Sequence, residues 1–225
     1  RQGQENIFTI IGTVSSPTKK PAQATLHEGS VVLARMLAER LAALGVGATP
    51  VEGVKAGTAA PVRLATVEEE LGTPDAVLAV VRTPLSVVME RCNSDSENLY
   101  AESLCKLMGN ISTGLPGTWG SGGSAIRMQI RERLGPEFAS RVFIADGSGM
   151  SRSGRVTPSL LASWLVEFAK DSKAGPTLIE SIPRAGMEGT MANRFRANTV
   201  KNEIRGKSGY INSVRTLSGY VTNVP

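Results

Sequence analysis

The apolar residues fall into short runs and helical stripes separated by polar, Gly-rich or Pro-rich segments. Residues 6 to 14, Asn-Ile-Phe-Thr-Ile-Ile-Gly-Thr-Val, are dense in β-branched and aromatic side chains and predict a strand. Ser15 to Gln23, with two prolines and two lysines, reads as a loop or linker. From Gly29 onward Val32, Leu33, Met36, Leu37, Leu41 and Leu44 recur at helical spacing, and Gly45 supplies the stop. Residues 47 to 60 are rich in Gly, Ala and Thr and predict a loop with a short strand; Val62 to Ala65 and Ala76 to Val81 predict two more strands.

Further along, Thr83-Pro84 predicts an N-cap and a proline at the first position of a helix reaching about Cys92. Asn93 to Glu97 breaks it with small polar residues that compete for the backbone, and a second helix follows over about Glu97 to Met108. Ser112 to Ser124 holds Gly114, Gly117, Gly120, Gly122 and Gly123 and predicts a flexible surface loop. It is not a phosphate-binding loop, which needs a preceding strand and, in one form, a following lysine. Helices are expected over Ser124 to Leu134, Pro158 to Lys170 (again with a Thr-Pro start) and Thr190 to Arg196. Strands are expected at Val142 to Ile144, Ile204 to Ser208 and Val214 to Val221, the last two joined by a Gly-Tyr-Ile-Asn-Ser turn region. The sum is an α/β fold with an antiparallel sheet flanked by helices.

Composition narrows the function classes. With 225 residues and 41% hydrophobic content the chain can bury a real core, and no apolar run is long enough for a membrane span. The net charge of +5 would favour anionic partners, but the basic residues are scattered among acidic ones and read as a solvated surface. Three tyrosines and two tryptophans give no stacking platform for nucleic acid, so no nucleic-acid partner is expected. Cys92 and Cys105 lack Cys-x-x-Cys spacing, and the one histidine, His27, has no ligand partner near it and reads as a surface residue before a helix. No metal or cofactor is expected, and pairing of the two thiols is left open.

Two short motifs carry the chemistry: Ser96-Glu97-Asn98 between two helices, and Lys207-Ser208-Gly209 near the end of a predicted strand. Alone, the first reads better as a helix N-cap and the second as an exposed strand end. Together they match two parts of the Ser-x-x-Lys, Ser-Asp-Asn and Lys-Thr-Gly set of penicillin-recognising enzymes. Four blocks extend the match. Ser96-Glu97-Asn98-Leu99-Tyr100-Ala101-Glu102 resembles Ser-Asp-Asn-Leu-Tyr-Ala-Glu, and Asp146-Gly147-Ser148-Gly149-Met150-Ser151-Arg152 resembles Asp-Gly-Ser-Gly-Leu-Ser-Arg. Ser181 to Thr190, followed by Asn193-Arg194-Phe195, resembles a Ser-Leu-Pro-x-Ala-Gly-x-Asp-Gly-Thr block. Lys207-Ser208-Gly209 with Leu217 to Val221 resembles the Lys-Thr-Gly strand and its neighbour. These are the blocks of the class C low-molecular-mass penicillin-binding proteins, the D-alanyl-D-alanine carboxypeptidase/endopeptidase family, and the resemblance covers about residues 26 to 222.

The resemblance implies a partial penicillin-binding, β-lactamase-like domain over residues 26–225, with residues 1–25 as the tail of an inserted β-rich subdomain and linker. It implies Ser96, Asn98 and Lys207 as catalytic residues, Ser208, Gly209 and Tyr210 as substrate-binding, and Asp146, Gly147, Ser148 and Gly149 as a supporting turn. The implied substrate is a peptidoglycan stem peptide ending in D-Ala-D-Ala, with β-lactams as covalent inhibitors of the full-length protein and a periplasmic or extracellular location. The Ser-x-x-Lys motif is the missing part. Ser16-Pro17-Thr18-Lys19 fits it by letter, but Lys20 and Pro21 follow and helical periodicity starts only after Gly29, so the nucleophile is expected outside this chain. The alternatives are a non-catalytic peptidoglycan- or partner-binding homologue and, against the Asp-Gly-Ser-Gly and Leu-Tyr-Ala-Glu blocks, a serine β-lactamase or esterase.

Overall fold

Helix signals govern the first described element. The computed structural model describes residues 26, 28–46, 80–197 and 203–222, and the chain divides into two units, Arg1–Val80 and Val81–Pro225. In the first unit α1 runs Gly29–Ala43 with no buried residue, and Gly45 takes φ 79°, the left-handed stop that its position suggested. The strands expected at 6–14 and 62–65, most of 76–81, His27 and Ser16 to Lys19 lie outside the described residues.

The second unit contains the remaining elements. Helix α2 spans Leu85–Ser94, and its N-cap is Pro84 with no side-chain hydrogen bond, so Thr83 is not the cap. Helix α3 spans Asn98–Thr113, longer than expected, and closes on Gly114 at φ 70°. Helix α4 spans Trp119–Leu134, which overturns the flexible loop read over Ser112 to Ser124. Thr118 and Ser121 form a reciprocal capping box that starts the helix among the glycines. Several of those glycines serve packing. A Cβ at Gly122 would collide with the Cys105 carbonyl of α3, and one at Gly109 would collide with the Ser121 side chain of α4. Removing both side chains lets the two helix backbones approach where ordinary residues would hold them apart.

Helices α5 (Pro136–Ser140) and α6 (Pro158–Lys170) follow. The α6 start is the expected one, with Thr157 Oγ1 accepting from Leu160 N at 3.2 Å. Ile130, Ala139, Val142 and Leu160 are buried between α4, α5 and α6, backed by Phe138, Ile144 and Trp164. Complete burial of a side chain such as Leu160 contributes about 1.5–3 kcal/mol. The strand expected at Val142 to Ile144 is a single antiparallel bridge, Phe143 with Arg155. It closes the loop that carries residues 146 to 149.

Helix α7 (Gly175–Ser181) leads into an extended segment that lies along the sheet edge: Ala185 N donates to Ile204 O at 2.8 Å and Gly206 N to Pro183 O at 3.0 Å. The helix expected at Thr190 to Arg196 is only a 3-10 turn, Gly189–Met191. Gly189 at φ 53° and Phe195 at φ 51° are left-handed and cannot extend it. The buried Met191 side chain fills the space above Gly206, where a Cβ would come within 3.1 Å of it. Strands β1 (Ile204–Ile211) and β2 (Val214–Val221) pair antiparallel, with Lys207 opposite Ser218 and Gly209 opposite Thr216. β1 runs three residues past the expected Ser208, so the turn shrinks to Asn212 and Ser213.

Candidate active site

Ser96 sits in the break between α2 and α3 with φ 60°. For a non-glycine residue this left-handed backbone costs about 1–3 kcal/mol and persists only where its surroundings impose it. Here α2 ends at Ser94 with Asp95 as its cap, held to Arg91 by an ion pair at 2.8 Å, and Glu97 N returns to Arg91 O at 3.4 Å. The turn aims the Ser96 hydroxyl at the sheet. Lys207 Nζ donates to Ser96 Oγ at 2.8 Å and to Ser208 O at 2.6 Å, joining residues 111 positions apart.

Lys207 is half-buried, and burial pushes its pKa below the ordinary lysine value against an opposing pull from Cys92. Cys92 is half-buried on α2; burial raises its pKa while Lys207 lowers it. Cys105 is buried at the α3–α4 contact, and both cysteines are free thiols. Asn98 is the first residue of α3 and is exposed, two positions from Ser96. Among the described residues no group of three His, Cys, Asp or Glu side chains is placed to hold a metal ion.

The sheet places the other expected residues beyond Lys207. Ser208 is half-buried; Gly209 and Tyr210 are exposed, and Gly209 faces Thr216 so closely that a Cβ would meet its hydroxyl. Arg215 lies over the Tyr210 ring at 5.0 Å. A cavity of about 620 Å³ lies between the end of the hairpin, with Ile211, Asn212 and Thr216, and the loop with Asp146, Gly147 and Arg152. Ser96 and Lys207 are not among its lining residues. Asp146 folds that loop from within: its carboxylate accepts from Gly149 N at 2.9 Å and Ser151 N at 2.6 Å.

One residue of the site was quoted in a motif but given no role. The Glu102 carboxylate, on α3, accepts from Trp119 Nε1 at 2.7 Å, Gly147 N at 3.0 Å and Ser148 N at 3.1 Å, and from Ser148 Oγ. Burial raises its pKa, but the bonds from Ser148, Gly147 and Trp119 outweigh that and leave it below the ordinary glutamate value.

A lysine ammonium on a short hairpin, bonded to a serine hydroxyl, can attract an anionic group such as a carboxylate. The model of the D-Ala-D-Ala carboxypeptidase 3 (S13) family matches residues 1–224. The chain belongs to this family. Among relatives of this carboxypeptidase family, a D-alanyl-D-alanine carboxypeptidase DacB of Haemophilus influenzae is 32% identical over 143 residues, covering 62% of this chain and 29% of the relative. A D-alanyl-D-alanine carboxypeptidase of an Actinomadura species is 34% identical over 131 residues, covering 56% of this chain and 24% of the relative. The crystal structure of penicillin binding protein 4 from H. influenzae, complexed with a β-lactam, superposes with a TM-score of 0.56 at 28% identity, over 62% of this chain and 32% of that one. The chain thus spans less than a third of the length of these relatives. No helix among the described residues is long and apolar enough to cross a membrane.

Proposed function

We propose that this chain supplies the leaving-group and carboxylate-binding half of a serine-type D-alanyl-D-alanine carboxypeptidase/endopeptidase acting on peptidoglycan stem peptides in the periplasm or outside the cell. The observation that carries the reading is the 2.8 Å bond between Lys207 Nζ and Ser96 Oγ. In the reaction a serine oxygen bonds to the carbonyl carbon between two D-alanines, the C–N bond breaks, and D-alanine leaves as its amine takes a proton. Water then attacks the acyl ester, frees the serine and leaves the shortened peptide acid.

Each residue has a part set by its chemistry. Ser96 relays the proton to the departing amine, whose expulsion unprotonated is prohibitively slow. Lys207 places positive charge by the terminal carboxylate, and the Ser208 hydroxyl donates to it. Asn98 holds the peptide backbone with an amide that both donates and accepts. Gly209 lets a peptide strand approach β1, and the Tyr210 N–H serves as one oxyanion donor, an interaction worth about 2.7–4 kcal/mol in the transition state. The nucleophile and its base lysine come from a Ser-x-x-Lys segment outside this chain.

The experiment pairs two assays. Intact-mass analysis after incubation with a fluorescent penicillin shows no adduct on this chain, and calorimetry with diacetyl-L-Lys-D-Ala-D-Ala shows binding that Lys207→Ala weakens about tenfold, the scale of one lost charge-assisted bond. A covalent adduct on the chain, at Ser16 for instance, overturns the placement of the nucleophile. Equal binding by Lys207→Ala, or by an L-Ala-L-Ala control, overturns the site.

A further inference from the structure

Glu102 stands one helical turn after Asn98 on α3 and joins three parts of the fold at one carboxylate. One oxygen, Oε2, receives Trp119 Nε1–H from the start of α4 and Gly147 N–H from the loop; the other, Oε1, receives Ser148 N–H and Ser148 Oγ–H. We propose that Glu102 is the positioning residue of the 620 Å³ cavity, clamping the Asp146–Gly149 turn that walls it onto the helix that begins at Asn98. The proposal takes the cavity, whose lining includes Thr216 opposite Gly209, to receive part of the peptide; it rests on the carboxypeptidase reading for that ligand and goes beyond it in naming what sets the cavity wall.

The chemistry of the donors dictates a carboxylate. Gly147 N, Ser148 N and Trp119 Nε1 can only donate, so both oxygens must be bare acceptors. An amide fails in either orientation. With its NH₂ at the Oε2 position it meets the Gly147 and Trp119 donors, and with its NH₂ at the Oε1 position it meets the Ser148 backbone donor. Shape agrees with charge: a Cβ on Gly147 would collide with the Ala101 carbonyl, so the turn rests directly on the α3 backbone beside Glu102. Asp146 folds the turn through Gly149 and Ser151, and Glu102 fixes where the folded turn sits. The charged groups around the clamp are Asp146 within the turn and Lys106 on the next turn of α3, whose Nζ lies 4.3 Å over the Trp119 ring. Since Gly147 lines the cavity and Ser148 adjoins it, loosening the clamp changes the cavity without touching Ser96 or Lys207.

The test compares wild type, Glu102→Gln and Ser148→Ala as the full chain by ¹⁵N NMR and by calorimetry with diacetyl-L-Lys-D-Ala-D-Ala. Glu102→Gln keeps the side-chain volume, so a space-filling role would leave every readout at its wild-type value. The clamp instead requires amide exchange at Gly147 and Ser148 to quicken about tenfold or more and the Trp119 indole resonance to move, while exchange in α6 is unchanged. It also requires peptide affinity to fall about tenfold, with Ser148→Ala intermediate in both and carrying the test if Glu102→Gln does not fold. Wild-type exchange at Gly147 and Ser148 in the variant overturns the clamp, and faster exchange with undiminished affinity overturns its role at the cavity. A wild-type chain that binds no peptide refutes the carboxypeptidase reading and with it the ligand role of Glu102, and exchange then decides the clamp by itself.

Discussion

Replacing Ser96 by alanine and by glycine separates what its side chain does from what its backbone endures. Both substitutions delete the hydroxyl that Lys207 Nζ reaches at 2.8 Å, so the lost charge-assisted bond, about 1.5–3 kcal/mol, is common to the two and cancels in their difference. What remains is the φ of 60°. Alanine keeps a left-handed penalty of about 1–2 kcal/mol that glycine does not have. Glycine loses about 0.5–1 kcal/mol through the greater freedom of its unfolded chain. The balance favours Ser96→Gly over Ser96→Ala by about 0.5–1 kcal/mol, which is about 1–4 °C in melting temperature for a chain of this size. Trp119 and Trp164 both lie in the unit Val81–Pro225 and are the two tryptophans of the chain, so thermal unfolding followed by their fluorescence reads that unit directly. Ser96→Ala melting at or above Ser96→Gly would refute the argument that the break between α2 and α3 is held under strain.

Burial depresses the Lys207 pKa. Between its folded value and the ordinary lysine value near 10.5 the unfolded chain binds more protons, so stability from this group rises with pH through that window. Wild type should therefore gain stability relative to Lys207→Met as pH rises toward 10.5, read from urea midpoints at rising pH; a gap between the two that does not change with pH contradicts it. At the α3–α4 contact, Gly122→Ala drives a methyl into the Cys105 carbonyl and costs about 1–3 kcal/mol. Gly120→Ala on the same helix has only Thr118 Oγ1 nearby, at 3.7 Å, and gains up to about 1 kcal/mol in helix propensity. Urea unfolding ranks them, and the reverse order would mean that the helices are not pressed together at Gly122.

Local rules were legible where the chain makes its own boundaries. Thr157-Pro158 announces α6 because the cap and the fixed φ of proline act within one turn, and β1 pairs with β2 as the hairpin expected from the strands read at Ile204 to Ser208 and Val214 to Val221. The errors came where a distant neighbour decides. Gly122 and Gly123 look like a loop since glycine marks both turns and close packing, and only Cys105 and Ile144, elsewhere in the chain, reveal which applies. Thr190 to Arg196 has helical composition, yet the left-handed Gly189 before it and Phe195 within it stop the turn. For the candidate site, the proximity of Ser96 and Lys207 was readable only through the family blocks, since nothing local links them. Glu102 was present in those blocks, but its donors stand 17, 45 and 46 residues away and leave no periodic trace.

The hairpin is fastened along one portion of its length. Arg205 reaches the carbonyls of Glu180 and Ile182 at 3.2 and 2.9 Å, Tyr220 Oη reaches Leu165 O at 2.9 Å, and Pro183 and Ala185 bond the start of β1. Past Lys207 the strands run out to the exposed Asn212-Ser213 turn. Mechanically this is a cantilever rooted at Ile204–Gly206 and Gly219–Val221, and its deflection grows toward the free end. Lys207 lies just beyond the root, where bending barely displaces its ammonium, whereas Gly209 and Tyr210 lie farther out and swing more. The same beam therefore holds a charge at fixed height and offers a compliant edge, and under the proposed function that edge is where peptides of different bulk would be accommodated without resetting the contact to Ser96.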